Sequence, residues 1–305
     1  MSQKIYLNGR FVEREDARIS VFDHGFLYGD GVFEGIRAYG GRVFRLREHL
    51  ERLERSARSI MLPLPLTQEE LSDVILETCR QNEVASGYLR VVVSRGPGDL
   101  GIDPRNCREG ATVVVIADKL TMYPQRMYDE GMAVITTSTR RNSPEALDPN
   151  IKSLNYLNNI LAKIEVNRAG VGEGIMLNGD GYVAEATGDN IFMVERGALA
   201  SPPTYVGILE GITRSAVIGL AQQLQIPFAE KVFTLTTLYN CDECFLTGTG
   251  AEVIPVIRVD ERLIGDGRPG PVTRSLIQAF HTLVAAEGVE IAQSEPAGSQ
   301  RSWVR

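Results

Sequence analysis

Lysine is scarce in this sequence. Of 32 basic residues in 305, only Lys4, Lys119, Lys152, Lys163 and Lys231 are lysine. Any chemistry that needs a lysine amine therefore has five candidates. Histidine is scarcer, with three residues (His24, His49, His281), so a zinc site has few ligands to draw on and no metal is expected. The four cysteines, Cys79, Cys107, Cys241 and Cys244, lack the spacing of a disulfide framework. Cys241-x-x-Cys244 has no second pair and reads as structural. Long apolar runs are missing: those such as 113–117 reach about five residues, where a membrane span needs about 18. Met1-Ser-Gln-Lys-Ile-Tyr6 has no charged stretch leading into an apolar one, so no signal peptide is expected. A basic surplus is also missing. The net charge is −7 and the pI about 5.2, against a general nucleic-acid binder. No Gly-x-Gly-x-x-Gly joins a strand to a helix, and there is no Walker A motif. A cytoplasmic protein without membrane or nucleic-acid partners is expected.

What is present is ordinary globular material: 43% apolar, 23% charged, and long enough for about two domains. Asn8-Gly9 between two short alternating stretches reads as a hairpin turn. Ala17 to Phe22 reads as a strand. The glycine-rich Phe26 to Tyr39 reads as strand and turn, ended at Gly40-Gly41. Leu46, Leu50, Leu53, Ala57, Ile60 and Met61 recur at helical spacing. Thr67-Gln-Glu-Glu70 is a capping-box start for a helix to about Asn82. Tyr88 to Ser94 reads as a strand, and Ala111 to Ala117 as one buried on both faces. Periodicity fails over 121–132, where a domain boundary is placed. Beyond it, a strand over Ala133 to Thr137, a helix over Leu154 to Ala169 and short strands around Gly179-Asp180-Gly181 are expected. Helices follow over Thr213 to Leu224 and Thr273 to Ala286, with a strand Glu243 to Thr247 between them. Residues 290–305 read as a polar tail. Hairpins and helices mixed in both halves describe an α/β (α+β) chain rather than a βαβα dinucleotide-binding sheet.

Three features could carry chemistry. Lys152, in Asn-Ile-Lys-Ser-Leu-Asn-Tyr, has uncharged neighbours. A desolvated lysine loses its proton readily and can form a Schiff base with a carbonyl; a surface lysine at a helix start is the plainer alternative. Gly211-Ile212-Thr213 opens a helix and Gly248-Thr249-Gly250 follows a strand. Free N–H groups and hydroxyls at such corners suit a phosphate, although either could be a simple cap or turn. Glu185 ends an apolar strand and could hold a proton on a ring nitrogen or merely be exposed. Together, an aldehyde-reactive lysine, a phosphate site and such a carboxylate describe pyridoxal phosphate. Tyr28, Phe33, Tyr88 and Tyr123 lie near glycine-rich strands and could be core or pocket.

A set of motifs then occurs in order: Tyr28-Gly-Asp-Gly-Val-Phe-Glu-Gly-Ile-Arg37, Phe44-Arg-Leu-Arg-Glu-His-Leu-Glu-Arg-Leu53, Tyr88-Leu-Arg90, Lys152-Ser-Leu-Asn-Tyr156, Glu185-Ala-Thr-Gly-Asp-Asn190, Leu209-Glu-Gly-Ile-Thr-Arg214 and Thr247-Gly-Thr249. Over roughly residues 4–285 the chain resembles the branched-chain amino-acid aminotransferases, pyridoxal-phosphate enzymes of fold type IV. The resemblance implies a two-domain fold: a smaller N-terminal α/β domain (1–120), a linker (121–132), a larger cofactor-binding domain (133–289) and the tail. It implies pyridoxal 5′-phosphate as cofactor, carried on Lys152. Tyr156 would meet the phenolic oxygen, Glu185 the pyridine nitrogen, and Arg52 the phosphate. Leu209, Ile212, Thr213 and Thr249 would complete the cofactor site. Tyr28, Phe33, Gly35, Tyr88, Arg90 and Tyr123 would line the substrate pocket. Gly248 and Gly250 would form the turn for the substrate carboxylate.

The implied reaction is transamination of leucine, isoleucine and valine with 2-oxoglutarate, in branched-chain amino-acid biosynthesis. Amino acids and 2-oxo acids would be the small-molecule partners. The implied assembly is a homodimer or higher homo-oligomer, with the 98–103 loop reaching across an interface. Two departures stand out. Gly250 stands where many relatives have alanine. The Cys-x-x-Cys pair precedes the Gly-Thr turn instead of following it, so redox regulation is not carried over. A D-amino-acid aminotransferase or an aminodeoxychorismate lyase shares the fold, but Tyr88-x-Arg90 argues against both. An intact Lys152, Glu185 and Arg52 argues against a non-catalytic phosphate-binding scaffold.

Overall fold

The computed structural model describes residues 2–119 and 123–291. Two units divide them: 2–119 with 151–155 and 284–291, and 123–150 with 156–283.

In the first unit, β1 (Lys4–Leu7) and β2 (Arg10–Glu13) form the hairpin read from Asn8-Gly9, both of which take positive φ. A short helix α1 (His24–Tyr28) precedes β3 (Gly31–Tyr39) and β4 (Arg42–Val43). Two helices follow, α2 (Leu46–Ser59) and α3 (Gln68–Gln81), then β5 (Gly87–Ser94) and β6 (Thr112–Asp118). The sheet runs β4, β3, β5, β6, β1, β2, and the strand Val289–Glu290 pairs outside β4. Leu46, Leu50, Leu53 and Ala57 are buried beneath α2, as their spacing predicts. Their core takes in Val32 and Ile36 from β3, Leu89 and Val91 from β5, and Val74 and Ile75 from α3. Thr67 caps α3: its hydroxyl accepts from Glu70 N while Glu70 accepts from Thr67 N.

Several expectations are corrected in this unit. Ala17 to Phe22 forms no strand; Ile19, Val21 and Phe22 are exposed, and no strand among the described residues pairs with them. Residues 24–28 are helical because Asp23 caps Gly25 N and left-handed Gly29 closes the turn. Met61, beyond the end of α2, is exposed. β6 is buried mainly on one face, since Val114 and Ile116 are only half-buried. Glu290 is a strand residue, and the rest of the expected tail, 292–305, lies outside the described residues.

The second unit begins with helix α4 (Gln125–Glu130), where the sequence showed no periodicity. Then come β7 (Met132–Thr136), α5 (Pro144–Leu147) and α6 (Leu157–Ala169). The chain continues through β8 (Glu173–Leu177), β9 (Val183–Ala186), β10 (Asn190–Glu195), β11 (Ala198–Ser201) and α7 (Ile212–Gln223). After these come β12 (Phe228–Glu230), α8 (Leu235–Tyr239), β13 (Glu243–Gly248), β14 (Glu252–Val259), β15 (Arg262–Leu263) and α9 (Pro271–Ala286). The sheet order is β12, β11, β10, β13, β14, β7, β8, β9, with β15 on β14. Pairing is antiparallel except at β11–β12, β14–β7 and β7–β8. Cys241 and Cys244 are buried and unbridged in its core, consistent with a packing role. Burial pushes the Cys241 thiol up to about 12. Among the described residues, no helix is long and apolar enough to cross a membrane.

Candidate active site

In the first unit the expected lysine is held by β3. The 151–155 segment lies along the edge of that strand: Phe33 N donates to Lys152 O (3.0 Å) and Leu154 N to Gly31 O (2.9 Å). Lys152 N donates to Ser56 Oγ on α2 at 3.1 Å. The lysine backbone is thus fixed on two sides. Its Nζ stands 4.6 Å from the centre of the Phe33 ring. Lys152 was expected at the mouth of a helix from Leu154. Instead α6 starts at Leu157, and Lys152 belongs to an extended segment with β3 as its template.

Phe33, Gly35 and Arg37 alternate along one face of β3, and the register places Arg90 opposite Gly35 and Tyr88 opposite Arg37. The Arg90 guanidinium lies 4.5 Å from the Phe33 ring centre and 5.5 Å from that of Tyr88. A Cβ at position 35 would collide with the Tyr88 hydroxyl, so glycine is what lets that ring lie across β3. Lys152, Phe33, Gly35, Tyr88 and Arg90 are therefore brought together. Tyr28 instead donates to Leu100 O, and His24 Nε2 meets Asp99 O at 2.9 Å, tethering the 98–103 loop to α1. Leu100 and Ile102 of that loop remain exposed.

Arg52 is buried. Its Nε donates to Glu34 Oε1 (2.7 Å) and its Nη2 to Glu34 Oε2 (2.8 Å), and His49 Nδ1 donates to the latter oxygen at 2.7 Å. Burial opposes the charged form of Glu34, yet the charge on Arg52 and the contact with His49 hold its carboxyl well below the usual range. For His49 burial wins and pushes its pKa down, against the pull of Glu34. Neither Glu34 nor His49 was anticipated. The signal was a carboxylate alternating with the apolar Val32, Ile36 and Ala38, and a histidine three residues before Arg52 on the same helix.

In the second unit, Glu185 on β9 is surrounded by donors. Its Oε1 accepts from Arg141 Nε (2.8 Å); its Oε2 accepts from Asn190 Nδ2 (3.1 Å) and Leu209 N (3.0 Å). Arg141, also unanticipated, is buried beside it and reaches Asn158 at 3.2 Å. Asn190 Nδ2 donates in addition to Leu209 O (2.9 Å), binding the Leu209 loop to the carboxylate. Gly211 precedes α7, and a Cβ there would strike Asn190 Oδ1. The twelve-residue α7 opens on Ile212 and Thr213 with no side-chain cap. Gly248 ends β13, and Thr249 and Gly250 form the turn after it; the buried Thr247 Oγ1 just before has no hydrogen-bond partner among the described residues. Tyr156 stands at the start of α6, where its carbonyl accepts from Ile160 N. The Tyr123 hydroxyl donates to Glu173 Oε2 at 3.1 Å, beside Lys163 and Thr187. Burial and the nearby Asp189 and Glu173 push that hydroxyl far above its ordinary range.

Residues 31–259 match the class IV aminotransferase family, and the chain belongs to it. It is 50% identical to a Methanocaldococcus jannaschii protein provisionally named a branched-chain-amino-acid aminotransferase, over 94% of this chain and 99% of that one. The crystal structure of the Escherichia coli branched-chain amino acid aminotransferase superposes with a TM-score of 0.90 at 36% identity, covering 93% of this chain and 95% of the other. The branched-chain amino acid aminotransferase of Thermobaculum terrenum, in its PLP-form (holo-form), superposes with a TM-score of 0.83 at 30% identity, covering 93% and 94%. The protein is thus a transferase enzyme with the α/β class IV aminotransferase fold.

Proposed function

We propose that this enzyme transfers the amino group of branched-chain L-amino acids to 2-oxoglutarate with pyridoxal 5′-phosphate, yielding branched 2-oxo acids and L-glutamate, as a cytoplasmic homodimer. The observation that carries the reading is the face of β3 and β5, where a lysine amine and an arginine share one aromatic wall at Phe33.

The donor set fits the cofactor. An uncapped helix N-terminus with Thr213 beside it, and Thr249 in a turn, suit a phosphate. The buried Glu185 suits a protonated ring nitrogen. Lys152 would hold the aldehyde carbon, Arg52, Ile212, Thr213 and Thr249 the phosphate, and Tyr156 the ring oxygen, with Leu209 orienting Glu185. When bound, pyridoxal phosphate draws negative charge away from the substrate Cα.

The chain's own residues do the rest. Lys152 Nζ takes the proton from Cα of the amino donor and returns one to Cα of the oxo acceptor in the second half-reaction. Its backbone, pinned to Phe33 and Ser56, limits the arc its amine can sweep. Glu185 holds a proton at the ring nitrogen, its two oxygens already oriented by Arg141, Asn190 and Leu209 N. Phe33 and Tyr88 offer apolar area to a branched side chain. Arg90 meets the γ-carboxylate of glutamate, which would be costly to bury unpaired.

Support for a second copy comes from α6. Leu157, Ile160, Leu161 and Ile164 form one stripe at i, i+3, i+4 and i+7, and are 42–66% exposed. A contiguous apolar stripe left exposed suits an interaction surface, and an isologous two-fold contact would cover it.

A panel of L- and D-amino donors with 2-oxoglutarate tests the function. L-leucine, L-isoleucine and L-valine should be turned over, and Lys152→Ala should be inactive on all three. Preference for D-donors would sink the reading. Arg90→Ala should lower kcat/KM for glutamate and 2-oxoglutarate about ten- to a hundred-fold, the loss of one charge-assisted hydrogen bond, and spare leucine. Equal losses on both donors would make Arg90 a support of the pocket wall.

A further inference from the structure

The Glu34–Arg52–His49 cluster is expensive for a simple packing element. Glu34 is fully buried in a strand whose same-face neighbours Val32, Ile36 and Ala38 are equally buried and apolar. Taking an ion pair out of water is costly for each ion, and apolar residues of similar volume are often as stable or better there. Yet β3 presents a carboxylate and α2 answers with both a guanidinium and an imidazole. Burial disfavours the charged form of His49, and the two contacts from Arg52 direct the charge of Glu34 at the guanidinium.

Its geometry is directional. The carboxylate takes Nε and Nη2, a two-point contact that fixes the plane of the guanidinium and therefore the direction of its opposite edge. The same stripe of α2 continues four residues on. Arg52 is followed by Ser56, whose hydroxyl anchors the Lys152 backbone. One buried helix face thus registers both the lysine and the arginine against β3.

We propose that Glu34 is a positioning residue that presents Arg52 to the cofactor phosphate, with His49 keeping Glu34 in place. This rests on the reading that Arg52 meets that phosphate. An unheld arginine would have to be ordered at the moment of binding, and part of its hydrogen-bond strength would be lost to that ordering.

The test titrates the cofactor-free full-length protein with pyridoxamine 5′-phosphate, which cannot react with Lys152, and with pyridoxamine, which lacks the phosphate. Glu34→Gln should weaken pyridoxamine 5′-phosphate about ten- to a hundred-fold and leave pyridoxamine unchanged. In the Arg52→Ala background, Glu34→Gln should add no further loss. Normal affinity in folded Glu34→Gln, an equal loss for both ligands, or additive losses would each overturn the proposal while Arg52→Ala still shows its defect. An Arg52→Ala protein with normal affinity would instead overturn the phosphate assignment, and the proposal with it. If circular dichroism shows that Glu34→Gln does not fold, His49→Gln takes its place. It should weaken the phosphorylated ligand about two- to five-fold, and no change would overturn the proposal.

Discussion

Helices α2 and α6 break the amphipathic rule in opposite directions. Beneath its leucines α2 also buries His49, Arg52 and Ser56, three polar residues on an inward face. On its outward face α6 displays Leu157, Ile160, Leu161 and Ile164. An inward polar residue costs stability unless it is paired, and each of the three is: with Glu34, with Glu34, and with the Lys152 backbone. An outward leucine or isoleucine forgoes about 1.5–3 kcal/mol of burial. Such departures mark work other than folding the chain itself. On α2 the departure faces inward, toward an arginine and a lysine; on α6 it faces outward, where the proposed second copy would meet it.

Leu161→Arg attacks the outward half of this contrast and should have the largest effect. A two-fold interface carries each change twice, so the proposed dimer should lose about 3–6 kcal/mol, or about 10²–10⁴-fold in dissociation constant. Light scattering over a concentration series checks it, and an undisturbed dimer would mean that α6 is not the contact. The inward half is probed next, through pH. The folded-state pKa of His49 is depressed by burial below its ordinary 6.5. Its contribution is therefore fully present above pH 6.5 and declines as the pH falls, because the unfolded chain takes up a proton that the folded chain refuses. Glu34 stays ionised in both states above about pH 5, so it adds no slope there. Between pH 7 and 5 the wild type should lose up to about 1.4 kcal/mol per pH unit relative to His49→Gln, measured by denaturant unfolding. Parallel curves would show that burial does not depress the His49 pKa. Ser56→Ala is the smallest probe. Removing one hydrogen bond to Lys152 N should cost about 0.5–1.5 kcal/mol, visible as a Tm lower by a few degrees. An unchanged Tm would leave the α2 anchor without weight.

The same contrast explains what could be read from the residues alone. α3 was legible because Thr67 and Glu70 carry their own boundary signal, and the first hairpin because Asn8-Gly9 supplies both positive φ values. Ala17 to Phe22 misled because alternation specifies a strand only where another strand offers hydrogen bonds. The helix at 125–130 is too short to establish a period. At the site, residue type was legible and placement was not. Lys152 stood out as an uncharged-context lysine, but its pairing with Phe33 joins positions far apart in the chain, which no local pattern encodes. Glu34 and His49 are closer to Arg52 in sequence, yet their meeting depends on β3 packing on α2, a tertiary fact. Arg141 lies in a loop with no period at all, and only its hydrogen bond to Glu185 reveals it.

The extended segment that carries Lys152 has a consequence for how the protein is made. Its unit starts with residues 2–119, but the segment on the β3 edge is 151–155 and the outermost strand of the same sheet is 289–290. On a ribosome adding about 5–20 residues per second, the sheet waits for seconds with that edge bare, and an open edge is a template for unwanted pairing. The lysine thus arrives as a late seal on a surface that would otherwise recruit other chains. A fragment cut after residue 119 would not be this unit in miniature. It would be a sheet with its reactive border exposed, and its first failing would be aggregation rather than the loss of an amine.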